Sequence, residues 1–227
     1  QVLSKFIGQE NLIHENSLLT KAVASKQPFS LIFWGPPGTG KTTLARILSR
    51  EFGVEYFELS AISSGVTQVR EILEKGKASF ESGKRSILFI DEIHRFTKSQ
   101  QDALLHAVED GSITLMGATT ENPSFEVISP LLSRCRVLRL YPLNNLDLEC
   151  VIKRALENDI LLSQKNLQID DETKTFLIES CGGDARKMLN TLELAISLHS
   201  EENAKLLKED IQEALQQKNV IYDKAGD

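Results

Sequence analysis

Cysteine is scarce in this chain: Cys135, Cys150 and Cys181 are the three among 227 residues. An odd count argues against a disulfide framework, and the wide spacing matches no cysteine metal site. The thiols read as buried side chains of a protein in a reducing cytoplasm. No apolar run approaches the ~20 residues that a membrane span needs, so no membrane partner is expected. Basic charge is not in excess. Lys and Arg number 26 against 32 Asp and Glu, a net charge of −6. No global positive field announces nucleic acid, although a local basic surface is compatible with that balance. The chain opens at QVLSKFIGQE, with neither a methionine nor a signal peptide, and reads as a piece of a longer protein. Internal repeats and low-complexity linkers are missing too.

What is present is ordinary for a globular protein, 41% hydrophobic and 26% charged residues, enough for one large domain or two modest ones. The first 140 or so residues alternate short apolar runs with helical patterns. Strand-like runs are SLIFW (30–34), EYFEL (55–59), SILFI (86–90), ITLMGA (113–118) and RVLRL (136–140). Three are almost continuously apolar, as strands covered on both faces are. Helical stretches lie between, over Lys41–Phe52, Thr67–Phe80 and Ser99–Glu109. Such alternation predicts a parallel sheet with right-handed crossovers. From about Leu143 helical periodicity takes over, at Asn145–Asn158, Asp171–Ser180, Asp184–His199 and Lys208–Lys218. YPLNN (141–145) is the expected hinge between an α/β domain, 1–142, and a small helical one, 143–227.

GPPGTGKT (35–42) fits G-x-x-x-x-G-K-[ST], directly after one strand and at the start of a helix, which is the context the motif requires. Its glycines let backbone amides turn toward a phosphate, and the helix N-terminus adds a favourable dipole. Lys41 is expected on the β- and γ-phosphates and the Thr42 hydroxyl on Mg2+. ILFIDEIH (87–94) ends an apolar strand in Asp91 and Glu92. Parallel strands end at one edge, so Asp91 can reach the same ion while Glu92 orients or deprotonates a water. His94 reads as a loop residue. GATTENPSF (117–125) brings Thr119, Thr120 and Asn122 to that edge; Thr119 is the preferred group for a γ-phosphate or water, against plain turn chemistry in ENPS.

LLSRCRVLRL (131–140) places Arg134 before the fifth strand, at the opposite edge. A five-residue strand spans ~17 Å, too far for Arg134 to serve its own nucleotide conveniently. It is a candidate for a finger acting on a neighbouring subunit, with Arg136 as a spare. In CGGDARKML (181–189), Asp184 reads as an N-cap. Arg186 and Lys187 then oppose the helix dipole in the first turn, a conflict that an anion such as ATP relieves. Arg95 and Lys98 in HRFTKS (94–99) are candidate DNA contacts, with a solvated loop the plainer reading.

In this order the motifs resemble the AAA+ ATPases. The resemblance identifies Gly35, Pro36, Pro37, Gly38, Thr39, Gly40, Lys41, Thr42 and Thr43 with the Walker A loop around ATP. LFIDE becomes Walker B, with Thr42 and Asp91 for Mg2+ and Glu92 catalytic. It implies sensor 1 at Thr119, the arginine finger at Arg134 in a clamp-loader-like SRC context, and sensor 2 at Arg186 in a helical lid. IGQE (7–10) looks like the box beside the adenine, with Ile7 and Gly8 in contact. Residues 91–137, GGDARKMLNTLE and VIYDKAGD are very similar to the replication-associated recombination protein family, which includes the eukaryotic Werner-helicase-interacting ATPase. DALLHAVEDG departs from it, since the family more often carries a phenylalanine–leucine–proline run there; helix packing is what the change affects.

The resemblance implies an α/β phosphate-loop AAA+ module, its five-stranded parallel sheet flanked by helices, followed by an all-helical lid and the start of a truncated C-terminal region. It implies a Mg2+-dependent, DNA-stimulated ATPase of stalled or gapped forks. The expected partners are single-stranded, gapped or forked DNA, single-strand-binding protein and the replication machinery, in a cytoplasmic, nucleoid-associated setting. The family's oligomerisation region lies beyond YDKAGD, so a homo-oligomer is expected of the full-length protein and a monomer of this piece. Rivals are a clamp-loader subunit, a branch-migration motor, a nucleotide-gated scaffold without turnover and a small-molecule kinase.

Overall fold

The computed structural model describes residues 2–158, 168–198 and 205–224. Contacts divide the chain into two units, one of Gln1–Pro36 with Gly40–Tyr141 and one of Pro37–Thr39 with Pro142–Asp227.

The first unit holds five parallel strands: β1 (Leu31–Trp34), β2 (Glu55–Ser60), β3 (Ser86–Asp91), β4 (Thr114–Thr119) and β5 (Arg136–Arg139). Their order across the sheet is β2-β3-β4-β1-β5. The helices are α1 (Glu10–Ile13), α2 (Leu18–Ala24), α3 (Lys41–Phe52), α4 (Val66–Glu81), α5 (Lys98–Glu109), α6 (Pro123–Glu126) and α7 (Ser129–Leu132). Strand periodicity explains the continuous apolar runs. Leu31, Phe33, Ile87, Phe89 and Met116 enter one core with Leu44 and Leu48 of α3. Ile32, Leu88, Ile90 and Leu115 enter another with Val69 of α4 and Leu104 of α5. Each fully buried side chain of this size contributes about 1.5–3 kcal/mol relative to exposure.

Local chemistry sets the helix starts. Thr97 caps α5, its hydroxyl accepting from the Gln100 amide while the Gln100 side chain accepts from the Thr97 amide, a reciprocal capping box. Register then places the strand ends. Trp34 lies opposite Thr119, Ser60 opposite Asp91 and Ile90 opposite Gly117. The segments after β1, β3 and β4 therefore leave the sheet at one edge.

The second unit is built from α8 (Asn145–Asn158), α9 (Asp171–Cys181), α10 (Ala185–Ser197) and α11 (Lys208–Lys224). Leu148, Ile152, Leu177, Met188, Leu192 and Ile211 make its core. It is not wholly helical. Gln168–Ile169 (β6) pairs in parallel with Lys205–Leu206 (β7). Two residues per strand carry no periodicity, so the sequence gives no sign of the pair. His199 of the expected third helix lies outside the described residues, as do residues 225–227 of VIYDKAGD. Among the described residues no helix is long and apolar enough to cross a membrane.

Candidate functional site

The phosphate loop turns where glycine alone fits. A Cβ on Gly35 would stand 2.3 Å from the Leu140 carbonyl oxygen, and one on Gly40 2.7 Å from the Phe6 ring. Gly40 is also left-handed, φ 95°, and caps α3, a conformation that side chains resist. Lys41 is 7% exposed. Its ammonium donates to the carbonyls of Gly35 at 2.7 Å and Pro36 at 2.9 Å. Thr42 is half-buried, Thr43 exposed and Thr39 buried, while Pro36 and Pro37 are exposed and Gly38 is half-buried.

The N-terminal box comes to the same end of the sheet. Phe6 packs on Gly40. Gln9 makes a two-way bond with Tyr141: its amide donates to the Tyr141 carbonyl at 2.7 Å, and its side-chain oxygen accepts from the Tyr141 amide at 2.9 Å. Ile7 and Gly8, both half-buried, lie between these two anchors.

Asp91 closes β3 and is half-buried. Glu92 follows in the left-handed region, φ 53°, uncommon for a residue with a side chain. Its Oε2 sits 3.2 Å from His94 Nδ1 and accepts from the Thr120 hydroxyl at 3.4 Å. Thr119 is 0% exposed. Its hydroxyl lies 3.0 Å from His94 Nδ1, donates to the Glu121 carbonyl at 3.2 Å and accepts from the Glu121 amide at 3.0 Å. Its carbonyl accepts from the Gly35 amide at 3.2 Å. Thr119 thus reaches Glu92 through His94, and Thr120 is the threonine bonded to Glu92 directly. His94 is more than the loop residue expected: it sits in the 3-10 turn Ile93–Arg95 with its side chain 9% exposed. The Asn122 side chain caps α6 by accepting from the Ser124 amide, which is turn chemistry.

At the other edge Arg134 makes an ion pair with Glu109, the last residue of α5. Arg136, Arg95 and Lys98 are exposed. Burial pushes the Cys135 thiol up to about 12, which keeps it protonated and unreactive. In the second unit Asp184 caps α10 by accepting from the Lys187 amide at 2.9 Å. Arg186 is exposed in that first turn, and Lys187 donates to the Ser180 carbonyl. Sequence reading missed the Glu92–His94–Thr119 cluster, the Thr120 contact, the Glu109 partner and the Gln9 clamp. Each joins segments distant in the chain, so no local spacing marks it.

Sheet order, loop and paired acids define a phosphate-loop nucleotide-binding module. Residues 31–143 match the model of the ATPase family associated with various cellular activities (AAA), and residues 163–227 that of the AAA C-terminal domain. The chain is 42% identical over 99% of its length to replication-associated recombination protein A of Escherichia coli, covering 51% of that protein. It is also 42% identical over 99% of its length to the ATPase WRNIP1 of Dictyostelium discoideum, covering 28% of it. The solved structure of the Thermotoga maritima RuvB Holliday junction branch migration motor superposes with TM-score 0.73 at 28% identity, over 95% of this chain and 71% of that one. The chain belongs to the AAA ATPases, in the family of replication-associated recombination protein A. It spans about half the length of the Escherichia coli and Haemophilus influenzae relatives of that name.

Proposed function

We propose that this chain is the ATP-hydrolysing module of a protein that acts on DNA in replication and recombination. The observation that carries the reading is the convergence of the Lys41 loop with Asp91 and Glu92 at one edge of the sheet. The relatives' names support the biological setting.

Lys41 and the loop amides bind the β- and γ-phosphates. Among the described residues no three His, Cys, Asp or Glu side chains gather as a metal cage. One hydroxyl, Thr42, and one carboxylate, Asp91, suit Mg2+ that arrives with its phosphate ligands and keeps several waters. When bound, Mg2+ neutralises charge on the phosphate oxygens. Glu92 takes a proton from water as the water oxygen bonds to the γ-phosphorus. The bond from that phosphorus to the bridging oxygen breaks, and ADP and phosphate leave. Ile7 and Gly8 contact the adenine, and Arg186 reads the nucleotide from the helical unit. Arg134 acts on the site of a neighbouring copy, which makes the active form a homo-oligomer. The domain boundary at 142/143 belongs to the same reading, with residues 143–227 as lid. DNA and the replication machinery, single-strand-binding protein included, are the proposed partners.

The test measures ATP turnover by the full-length protein with and without Mg2+, and with single-stranded, duplex and forked DNA. Mg2+-dependent turnover that rises with DNA is expected. Nucleotide binding without turnover would make the protein a nucleotide-gated scaffold instead, and turnover indifferent to DNA would remove the DNA-stimulated reading.

A further inference from the structure

We propose that His94 is a positioning residue for hydrolysis, holding the Glu92 carboxylate and tying it to the tip of β4. This rests on the reading of Glu92 as the base. Two groups meet at one ring nitrogen. His94 Nδ1 lies 3.0 Å from the Thr119 hydroxyl and 3.2 Å from Glu92 Oε2. The Thr119 proton is committed to the Glu121 carbonyl at 3.2 Å, and one of its lone pairs to the Glu121 amide at 3.0 Å. A hydroxyl has one proton and two lone pairs, so what it offers His94 is its second lone pair. A carboxylate offers only acceptors. Nδ1 therefore faces two acceptors, and it is the nitrogen that carries the ring proton. That single N–H is shared between a buried hydroxyl and the carboxylate of the base.

The setting makes the contact count. The His94 and Glu92 side chains are 9% and 24% exposed, and a hydrogen bond to a carboxylate in such surroundings is stronger than one between neutral groups. Thr119 is anchored in turn. It lies opposite Trp34, and its carbonyl accepts from the Gly35 amide at 3.2 Å. A continuous series of contacts thus runs from the first residue of the phosphate loop through Thr119 and His94 to Glu92. Thr120 gives the carboxylate its second hold, at 3.4 Å.

The test uses the full-length protein and compares wild type, Glu92→Gln, His94→Ala, His94→Asn and His94→Gln. An asparagine amide reaches about where Nδ1 sits, whereas a glutamine amide reaches about where Nε2 sits. Turnover at saturating ATP, nucleotide Kd and Tm are read for each. His94→Ala should lose turnover on the order of 10- to 100-fold, the scale seen when the partner that orients an active group is removed, with Kd nearly unchanged. His94→Asn should recover most of it and His94→Gln should not. Adding Thr119→Val to His94→Ala should cost less than the product of the two single effects, because both act through one contact. Four results overturn the proposal while leaving Glu92 in place: unchanged turnover in His94→Ala, faster turnover, a loss matched by Kd or Tm, or asparagine no better than glutamine. Multiplying single effects in the double variant sinks the link to β4. Wild-type turnover in Glu92→Gln removes the base itself, and the role of His94 falls with it.

Discussion

The Arg134 guanidinium lies 2.5 Å from the Glu109 carboxylate, and its other terminal nitrogen donates to the Pro130 carbonyl at 2.7 Å and the Ser133 hydroxyl at 3.1 Å. The side chains of Arg134 and Glu109 are 40% and 39% exposed, and exposed pairs of this kind contribute about 0–1 kcal/mol. The arginine is held at the amino edge of the sheet by partly solvent-exposed contacts.

Mixing two inactive variants tests where Arg134 works. Lys41→Ala is deficient in ATP binding but still presents Arg134, and Arg134→Ala does the reverse. Each alone should be slow, since a trans arginine contributes ~10³–10⁵ in rate in nucleotide hydrolases. Activity should partly return in mixed oligomers of the full-length protein. Demonstrated subunit exchange with no recovery would make Arg134 a structural residue of the α7–β5 turn.

Glu92→Gln keeps the shape of the side chain and removes its capacity to take a proton. Nucleotide affinity should stay near wild type while turnover falls by ~10²-fold or more. Equilibrium binding of a fluorescent nucleotide and a steady-state phosphate assay separate the two effects. Lys41→Ala should instead weaken binding itself.

Gly35→Ala places a methyl group 2.3 Å from the Leu140 carbonyl oxygen. Backbone cannot yield there as a flexible side chain would, so β1 and β5 must part or the loop must shift. Overpacking of this kind costs about 1–3 kcal/mol. Denaturant unfolding should show a lower midpoint, and nucleotide affinity should fall with it. A variant as stable as wild type would show that the loop has slack.

Thiol chemistry should be selective. Cys150 is exposed, whereas Cys135 and Cys181 are buried, and burial holds the Cys135 thiol protonated up to about 12. Alkylation of the folded protein near pH 8, followed by peptide mass spectrometry, should label Cys150 well ahead of the other two. Rapid labelling of Cys135 in the folded state would contradict its buried position.

The nucleotide end of the fold was legible because its chemistry is written in contiguous residues. Glycine spacing, Lys41 and Thr42 stand within eight positions, and Asp91 and Glu92 follow an unbroken apolar strand. Thr119 and Thr120 were harder. Thr119 ends β4 and Thr120 opens the bend after it, and sequence alone does not say which hydroxyl meets Glu92. His94 was illegible for a different reason. Its role depends on a left-handed Glu92 and on β3–β4 register, neither of which leaves a composition signal. The Arg134–Glu109 pair likewise exists only once α5 and β5 are folded onto one sheet.

β5 is bonded on one side, to β1, and ends the sheet. A rim strand of this kind can recruit a stray strand from another chain and seed aggregation. Here Arg136 and Arg139 are exposed along it, and the Arg139 guanidinium rests 4.8 Å from the Trp34 ring and 5.1 Å from the Tyr141 ring. An incoming backbone would have to line up beside two permanent cations, one of them seated on aromatic rings. The same arginines make this rim a poor template, so concentrating the protein should favour contacts between side chains over the stitching of one sheet to the next.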